Sequence, residues 1–124
     1  MTKTELIAYA RERYGTEPEY LWEKLPDAFV LRHAENRRWY AVVMDVQRDR
    51  LGLPGEGFVS LMDVKCGPLL SGSYLGQSGV VPAYHMNKNH WLGVLLDGSA
   101  AGKTVAELLA LSYRQTQGNP RKQR

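Results

Sequence analysis

The residues from 91 to 96 carry no polar side chain apart from the indole of Trp91, and this run constrains the fold more than any other part of the chain. In a β-strand, successive side chains point to opposite faces of the sheet. Both faces of this strand would then be apolar, so we expect it to be central in a sheet and covered on both sides.

Four further strands are predicted before this run, from segments in which the polarity repeats every second residue. In the third of them, Tyr40, Val42, Met44 and Val46 share one face. That face is wholly apolar and is expected to point to the core. The segments are residues 20–24, 28–33, 39–46 and 58–65.

Helices are predicted at both ends of the chain and, more weakly, in the middle. Thr2 and Glu5 have the spacing of a capping box, in which each side chain bonds the backbone amide of the other residue. Thr104 and Glu107 have the same spacing at the start of a helix predicted at residues 104–117. A short helix is predicted at residues 69–75, because Pro68 is favoured at a helix start, and Gly72 inside it makes this helix weak. Helices flanking a set of strands in this order indicate an α+β fold with an antiparallel sheet of about five strands.

The chain of 124 residues fits one domain, residues 1–118, followed by a basic tail at residues 119–124. No apolar run is long enough to span a membrane. The N-terminus lacks the apolar core of a signal peptide, and the single cysteine, Cys66, cannot form an internal disulfide. We therefore expect a soluble, cytoplasmic protein.

The basic charge is concentrated at the C-terminus. The last eleven residues hold four of the 16 lysines and arginines and no acidic residue, so residues 1–113 hold 12 basic and 13 acidic residues. Basic tails are common as solvated chain ends. The overall charge of +3 is therefore weak support for nucleic-acid binding.

The candidate functional residues lie just before the apolar run. Lys88 could neutralise a phosphate, Asn87 could bond a phosphate or a base edge, and Tyr84 or Trp91 could stack on a base. Arg37 and Arg38, in a predicted turn near Arg32, would add further phosphate contacts. The residues that could support this motif are Tyr84, His85, His90 and Trp91.

A structural interpretation of the same residues stays open. Trp91 could be a core residue at the start of a strand, and asparagine side chains commonly bond the local backbone in turns. Lys88 has no evident structural task in such a stretch.

Metal binding and catalysis are not predicted. A metal site would need His85 and His90 with a third ligand such as Asp63, Cys66 or Asp97, and no Cys-x-x-Cys or His-Glu-x-x-His motif is present. A histidine could act as a general base, but the chain has no recognisable nucleophile motif. We expect no cofactor and no enzymatic activity.

The stretch His85-x-Asn87-Lys88-x-His90-Trp91 resembles the signature of the MmcQ/YjbR family of small bacterial proteins. The surrounding residues fit as well: Val80 to Tyr84, the Leu96-Asp97-Gly98 turn, Lys65 to Pro68, and Ser112-Tyr113. The resemblance implies a frataxin-like two-layer sandwich, with helices on one face of an antiparallel sheet. It also implies DNA binding through two β-hairpin wings and a helical part, and it implies neither an enzymatic activity nor a cofactor.

The sequence therefore predicts a non-catalytic DNA-binding domain that is a monomer or a weak homodimer, with double-stranded DNA as the partner. The predicted contacts are Arg37, Arg38, Asn87 and Lys88, with Tyr84 and Trp91 as support. The alternative is a protein-interaction module in which the His–Asn–Lys–His–Trp stretch is structural. Exposed aromatic residues such as Tyr20, Trp22 and Trp39 without neighbouring arginines would favour that alternative.

Overall fold

A computed structural model of the protein describes residues 1–118; the predicted basic tail lies outside these residues. The elements form an α+β fold in which three helices accompany one antiparallel sheet. The helices are α1 (Lys3–Tyr14), α2 (Pro68–Tyr74) and α3 (Gly102–Thr116). The strands are β1 (Phe29–Arg32), β2 (Trp39–Gln47), β3 (Phe58–Lys65), β4 (Val80–Pro82) and β5 (Trp91–Leu95).

The strand order in the sheet is β1-β2-β3-β5-β4, and every neighbouring pair is antiparallel. The apolar run occupies β5, which lies between β3 and β4 with Leu92 to Leu95 buried. The prediction of an internal, covered strand is thus confirmed.

The main core lies between one face of the sheet and helices α1 and α3. It contains Leu6 and Ala10 of α1, Leu108 and Leu109 of α3, and sheet residues such as Met62. A smaller apolar cluster lies on the opposite face of the sheet, where loops and a single 3-10 turn (Arg48–Leu51) cover it in place of α-helices. Its members are Val46, Val59, Leu61 and Leu95, with Leu51, Leu53 and Tyr84 packed against them. We call this second side of the sheet the loop face.

The capping box of α1 is present, since the Thr2 hydroxyl accepts from the Glu5 amide at 3.2 Å and the Glu5 carboxylate accepts from the Thr2 amide at 2.9 Å. The capping box predicted for α3 is wrong. That helix begins at Gly102, two residues before Thr104, and its N-cap Ala101 has no side chain that could accept a hydrogen bond.

The strand predicted at residues 20–24 is also wrong. Residues 20–24 form no strand: the one bridge nearby joins Glu19, just before the segment, to Val30, and the segment then turns at Glu23 and Lys24. The sheet nevertheless has five strands, because β4, which was not predicted, makes up the number. This strand has three residues and ends in a proline. The segment was misleading because Trp22 is half-buried through an edge-to-face contact with Trp39, not through strand pairing.

The orientation predicted for β2 is wrong in part. Ala41 and Val43 point to the helices, whereas Val46 belongs to the cluster on the loop face. The register of β1 against β2 shifts so that Leu31 pairs with Ala41 and Arg32 with Trp39, which leaves Tyr40 as a bulged residue. A bulge redirects one side chain, and the fully buried Tyr40 joins the main core together with Ala41.

Ser112 of α3 joins the helix to two strands. Its hydroxyl accepts from the Lys65 amide at 2.8 Å and donates to the Tyr40 carbonyl at 2.6 Å. We expect Ser112→Ala to lower the free energy of unfolding by about 2 kcal/mol, because two buried or half-buried backbone groups lose their partner. Urea denaturation measures the change. Ser73→Ala is the control, since that exposed hydroxyl makes one long bond to Leu69. Equal effects of the two substitutions would contradict the assigned role of Ser112.

Candidate nucleic-acid interface

The two segments that carry the predicted contacts emerge at the same end of the sheet. The turn of residues 33–38 follows β1 and precedes β2, and the loop of residues 83–90 follows β4 and precedes β5. Trp39 pairs with the end of β1, and Trp91 pairs with Lys65 at the end of β3. With strands about 4.8 Å apart, the turn and the loop are separated by roughly 10–20 Å.

The turn of residues 33–38 is held rigidly against α3. The Asn36 side chain donates to the Thr116 carbonyl at 2.8 Å, and its oxygen accepts from the Arg38 amide at 2.9 Å. The His33 amide donates to the Arg38 carbonyl and the His33 carbonyl accepts from the Arg37 amide, both at 3.0 Å, and Arg37 has a left-handed backbone with φ of 65°. Arg37 and Arg38 are thus exposed side chains on an ordered turn.

His33 completes the attachment of the turn to the helix. Its Nε2 lies 2.8 Å from the Thr116 hydroxyl, and its ring packs against Tyr40 and Tyr113. Burial lowers the pKa of this histidine. A neutral imidazole is therefore favoured next to the helix end, and His33 serves the structure of the turn.

The loop of residues 83–90 is shaped mainly by Asn87. Its side-chain oxygen accepts from the Asn89 amide at 2.9 Å, and its carbonyl accepts from the amides of His90 and Trp91 at 3.0 and 2.9 Å. The structural interpretation of Asn87 thus has direct support, while its role as a nucleic-acid contact stays a prediction. Lys88, in the turn that Asn87 closes, is exposed.

The other predicted supporting residues divide between the sheet end and the loop face. Tyr84 packs over the loop face, and the His85 ring lies 4.0 Å from it between centroids, on a backbone with φ of 62°. His90 is exposed, and its carbonyl accepts from the Cys66 amide. Trp91 begins β5 as predicted but is only half-buried, so it is not a fully buried core residue.

Arg32 is not available as a contact. Its guanidinium forms a bidentate pair with the Glu19 carboxylate at 2.6 and 2.7 Å. By contrast, Arg37, Arg38 and Lys88 form no salt bridge with a carboxylate within residues 1–118. Glu35 lies in the same turn as the two arginines, and within the described residues it forms no salt bridge with either of them.

Sequence reasoning missed two features of this end of the molecule. Arg114 lies in the last turn of α3, which ends beside the turn of residues 33–38, so it adds a fourth exposed cation. We call Arg37, Arg38, Lys88 and Arg114 the basic end. The second feature is Asp63, which lies buried under the loop that carries Lys88; from the sequence it is only a possible metal ligand. The one signal in the sequence is a lone carboxylate among the apolar residues of β3.

Asp63 is fully buried, and its Oδ1 accepts from the Tyr84 amide at 3.2 Å. Its Oδ2 is buried and has no hydrogen-bond partner within residues 1–118. Burial raises the pKa of this carboxyl to about 7, and the Tyr84 hydrogen bond and the charge of Lys88 act in the opposite direction.

Two observations bear on the alternatives. Across the described part of the chain, no three His, Cys, Asp or Glu side chains lie close enough together to hold one metal ion. Of the helices within residues 1–118, none has the length and apolar character needed to cross a membrane.

Comparison with known proteins identifies the family of the chain. The family model described as YjbR matches residues 11–115. The uncharacterized protein YyaQ of Bacillus subtilis is 34% identical over 116 residues, which are 94% of this chain and 98% of that protein.

Solved structures show the same architecture. A crystal structure of a Pseudomonas syringae protein has a TM-score of 0.90 at 41% identity, covering 94% of this chain and 99% of that one. The Deinococcus radiodurans protein DR2400 has a TM-score of 0.69 at 23% identity, covering 95% and 80%, and is similar in fold. The resemblance seen in the signature residues is confirmed, and the chain belongs to the YjbR family.

Proposed function

We propose that the protein binds double-stranded DNA without catalysis and with little sequence specificity, through the basic end. One observation carries the proposal: exposed cations from three separate segments lie at one end of the sheet and form no salt bridge with a carboxylate in residues 1–118. Lysine and arginine contacts with phosphates are the main source of sequence-independent affinity for DNA. A separation of roughly 10–20 Å between the turn and the loop spans several phosphates of a duplex.

The order of the turn supports this proposal. Side chains that must be immobilised on binding lose conformational entropy, so a rigid backbone reduces that loss. Arg37 and Arg38 extend from a turn fixed by the Asn36 side chain and by two backbone hydrogen bonds of His33. The basic residues Arg121, Lys122 and Arg124 lie outside the described residues and add three positive charges to the full chain.

The test is fluorescence anisotropy with a labelled 20-bp duplex and the full chain, across a series of salt concentrations. Arg37→Ala/Arg38→Ala and Lys88→Ala are expected to weaken binding, and each lost phosphate contact should reduce the slope of log affinity against log salt by about 0.9. Lys103→Ala is the matched control, because Lys103 is an exposed lysine at the other end of α3.

The tail needs a separate variant. Arg121→Ala/Lys122→Ala/Arg124→Ala in the full chain removes the tail charge and leaves the basic end intact. If this variant loses all binding while the basic-end variants bind as the wild type does, the tail accounts for the affinity and the proposal is wrong. Binding that does not depend on salt would also contradict it.

A protein-interaction role is the second candidate, favoured by an apolar groove on the loop face. The exposed side chains of Leu25 and Phe58 flank the groove, and Met44 and Tyr84 also line it. The local role of Asn87 in shaping its turn agrees with this alternative as well. Sedimentation analysis tests self-association: a dimer that Phe58→Ser disrupts, together with no DNA binding at low salt, would favour the interaction role.

A further inference from the structure

The buried carboxylate of Asp63 has no role in the contacts proposed so far, yet it lies under the loop that carries Lys88. Met62 and Val64, on either side of it in β3, belong to the core between sheet and helices, so the Asp63 side chain points to the loop face. There the loop of residues 83–90 covers it, and the Tyr84 amide donates to its Oδ1. This is the one hydrogen bond that the carboxylate accepts within residues 1–118.

The groups around Asp63 come from β2, β5, its own strand and the loop. Its partners in register are Val42 on β2 and Gly93 on β5, and neither can ionise. Lys65 lies two residues along β3 on the same face. The loop contributes Lys88, whose charge favours the ionised carboxylate, and His85, which packs on Tyr84.

A buried carboxylate with one hydrogen bond is costly to ionise, and a nearby cation offsets part of that cost. Asp63 holds the loop through the Tyr84 amide, and the charge of Lys88, on the same loop, acts on the Asp63 carboxylate. If a ligand anion pairs with Lys88, the cation no longer favours the ionised form of Asp63 to the same extent. The carboxylate is then expected to take up a proton from the solvent.

We infer that Asp63 is a positioning residue for the Lys88 loop and that phosphate binding at Lys88 is coupled to proton uptake at Asp63. The coupling to phosphate rests on the proposed function, whereas the coupling between the two side chains does not. Linkage between two sites is reciprocal. Protonation of Asp63 therefore strengthens phosphate binding at Lys88, and DNA affinity rises as the pH falls through about 7.

The first experiment needs no DNA. Carboxyl ¹³C NMR follows the titration of Asp63 in the wild type, in Lys88→Gln and in the control Lys103→Gln. We expect the midpoint to rise by about half a unit or more in Lys88→Gln, because an opposite charge is lost, and to stay unchanged in Lys103→Gln. Equal midpoints in the wild type and Lys88→Gln would overturn the inference, whatever the protein binds.

The second experiment measures protons taken up on binding. Calorimetric titration of the 20-bp duplex at pH 7, in two buffers of different ionisation enthalpy, gives this number for the wild type and for Asp63→Asn. The two chains differ only at residue 63, so the difference between their proton uptakes reports Asp63. A positive difference of up to one proton supports the coupling, and equal numbers in the two chains contradict it.

The positioning role has its own readout in hydrogen exchange at the Tyr84 amide. Asp63→Ala removes the acceptor, so this amide should exchange faster, whereas Asp63→Asn retains an oxygen acceptor and should preserve the protection. Unchanged protection in Asp63→Ala would show that Asp63 does not hold the loop. If no variant binds DNA, the proposed function fails, and the NMR midpoints and the exchange rates still decide the inference about Asp63 and Lys88.

Discussion

Replacing Gly79 with alanine is expected to lower the free energy of unfolding by about 3–5 kcal/mol, which is a large part of the stability of a domain of this size. Gly79 has a left-handed backbone with φ of 78°. A Cβ at this position would collide with the backbone nitrogen of Ala100 and would lie 2.7 Å from the Ala100 Cα. The backbone cannot move aside as a flexible side chain would, because the Gly79 carbonyl accepts from the Leu95 amide of β5.

Gly76 provides the matched control for this prediction. It also has a positive φ, of 96°, but a Cβ there would have no heavy atom within 4 Å. Gly76→Ala is therefore expected to cost only the backbone strain, about 1 kcal/mol. Urea denaturation of both variants separates the strain from the collision. Similar losses in the two variants would show that the contact with Ala100 relaxes and that the expected collision does not occur.

Replacing Asp63 with asparagine is expected to raise the free energy of unfolding by about 2–4 kcal/mol at pH 8. Burial raises the pKa of Asp63 to about 7 in the folded protein, and an unfolded aspartate titrates near 3.9. Between these pH values the folded state binds more protons, so the stability of the wild type increases as the pH falls from about 7 towards 4. Asparagine does not ionise, so the advantage of the variant should vanish near pH 4.

The measurement is urea denaturation of wild type and variant at several pH values. His33 produces the opposite trend in both chains: its pKa is lowered by burial, so protons favour the unfolded state below about 6.5. The difference between the two chains at each pH removes this contribution. Asp27→Asn, at an exposed position, should change the stability by less than about 0.5 kcal/mol. A constant difference between wild type and Asp63→Asn across pH would contradict the assignment.

Much of the fold could be predicted because local chemistry determines it. The capping box of Thr2 and Glu5 and the apolar run of β5 each specify an element within a few residues. The failures arose where tertiary contacts decide. Trp22 lies in a segment with strand-like composition, but it packs edge-to-face on Trp39. The strand β4 has three residues, which is too short for any periodicity to be visible.

The candidate site could be predicted only in part, because its assembly depends on the strand order. The signature residues around Lys88 were identified from the sequence, and Arg37 and Arg38 were named as turn cations. Their position at one end of the sheet follows from β3 lying between β2 and β5, which no local pattern specifies. The burial of Asp63 likewise depends on the loop of residues 83–90 folding back over the sheet.

The two edge strands of the sheet, β1 and β4, limit how copies of the protein can associate in solution. Exposed strand edges offer unpaired amides and carbonyls to other chains and promote aggregation or fibril growth. Here β4 is three residues long and ends in Pro82, which has no amide hydrogen to donate. At the other edge, the Val30 amide and carbonyl of β1 are already bonded to Glu19 at 3.0 Å. A second copy therefore finds little backbone to pair with, and any dimer has to form through side chains rather than through a continuous intermolecular sheet.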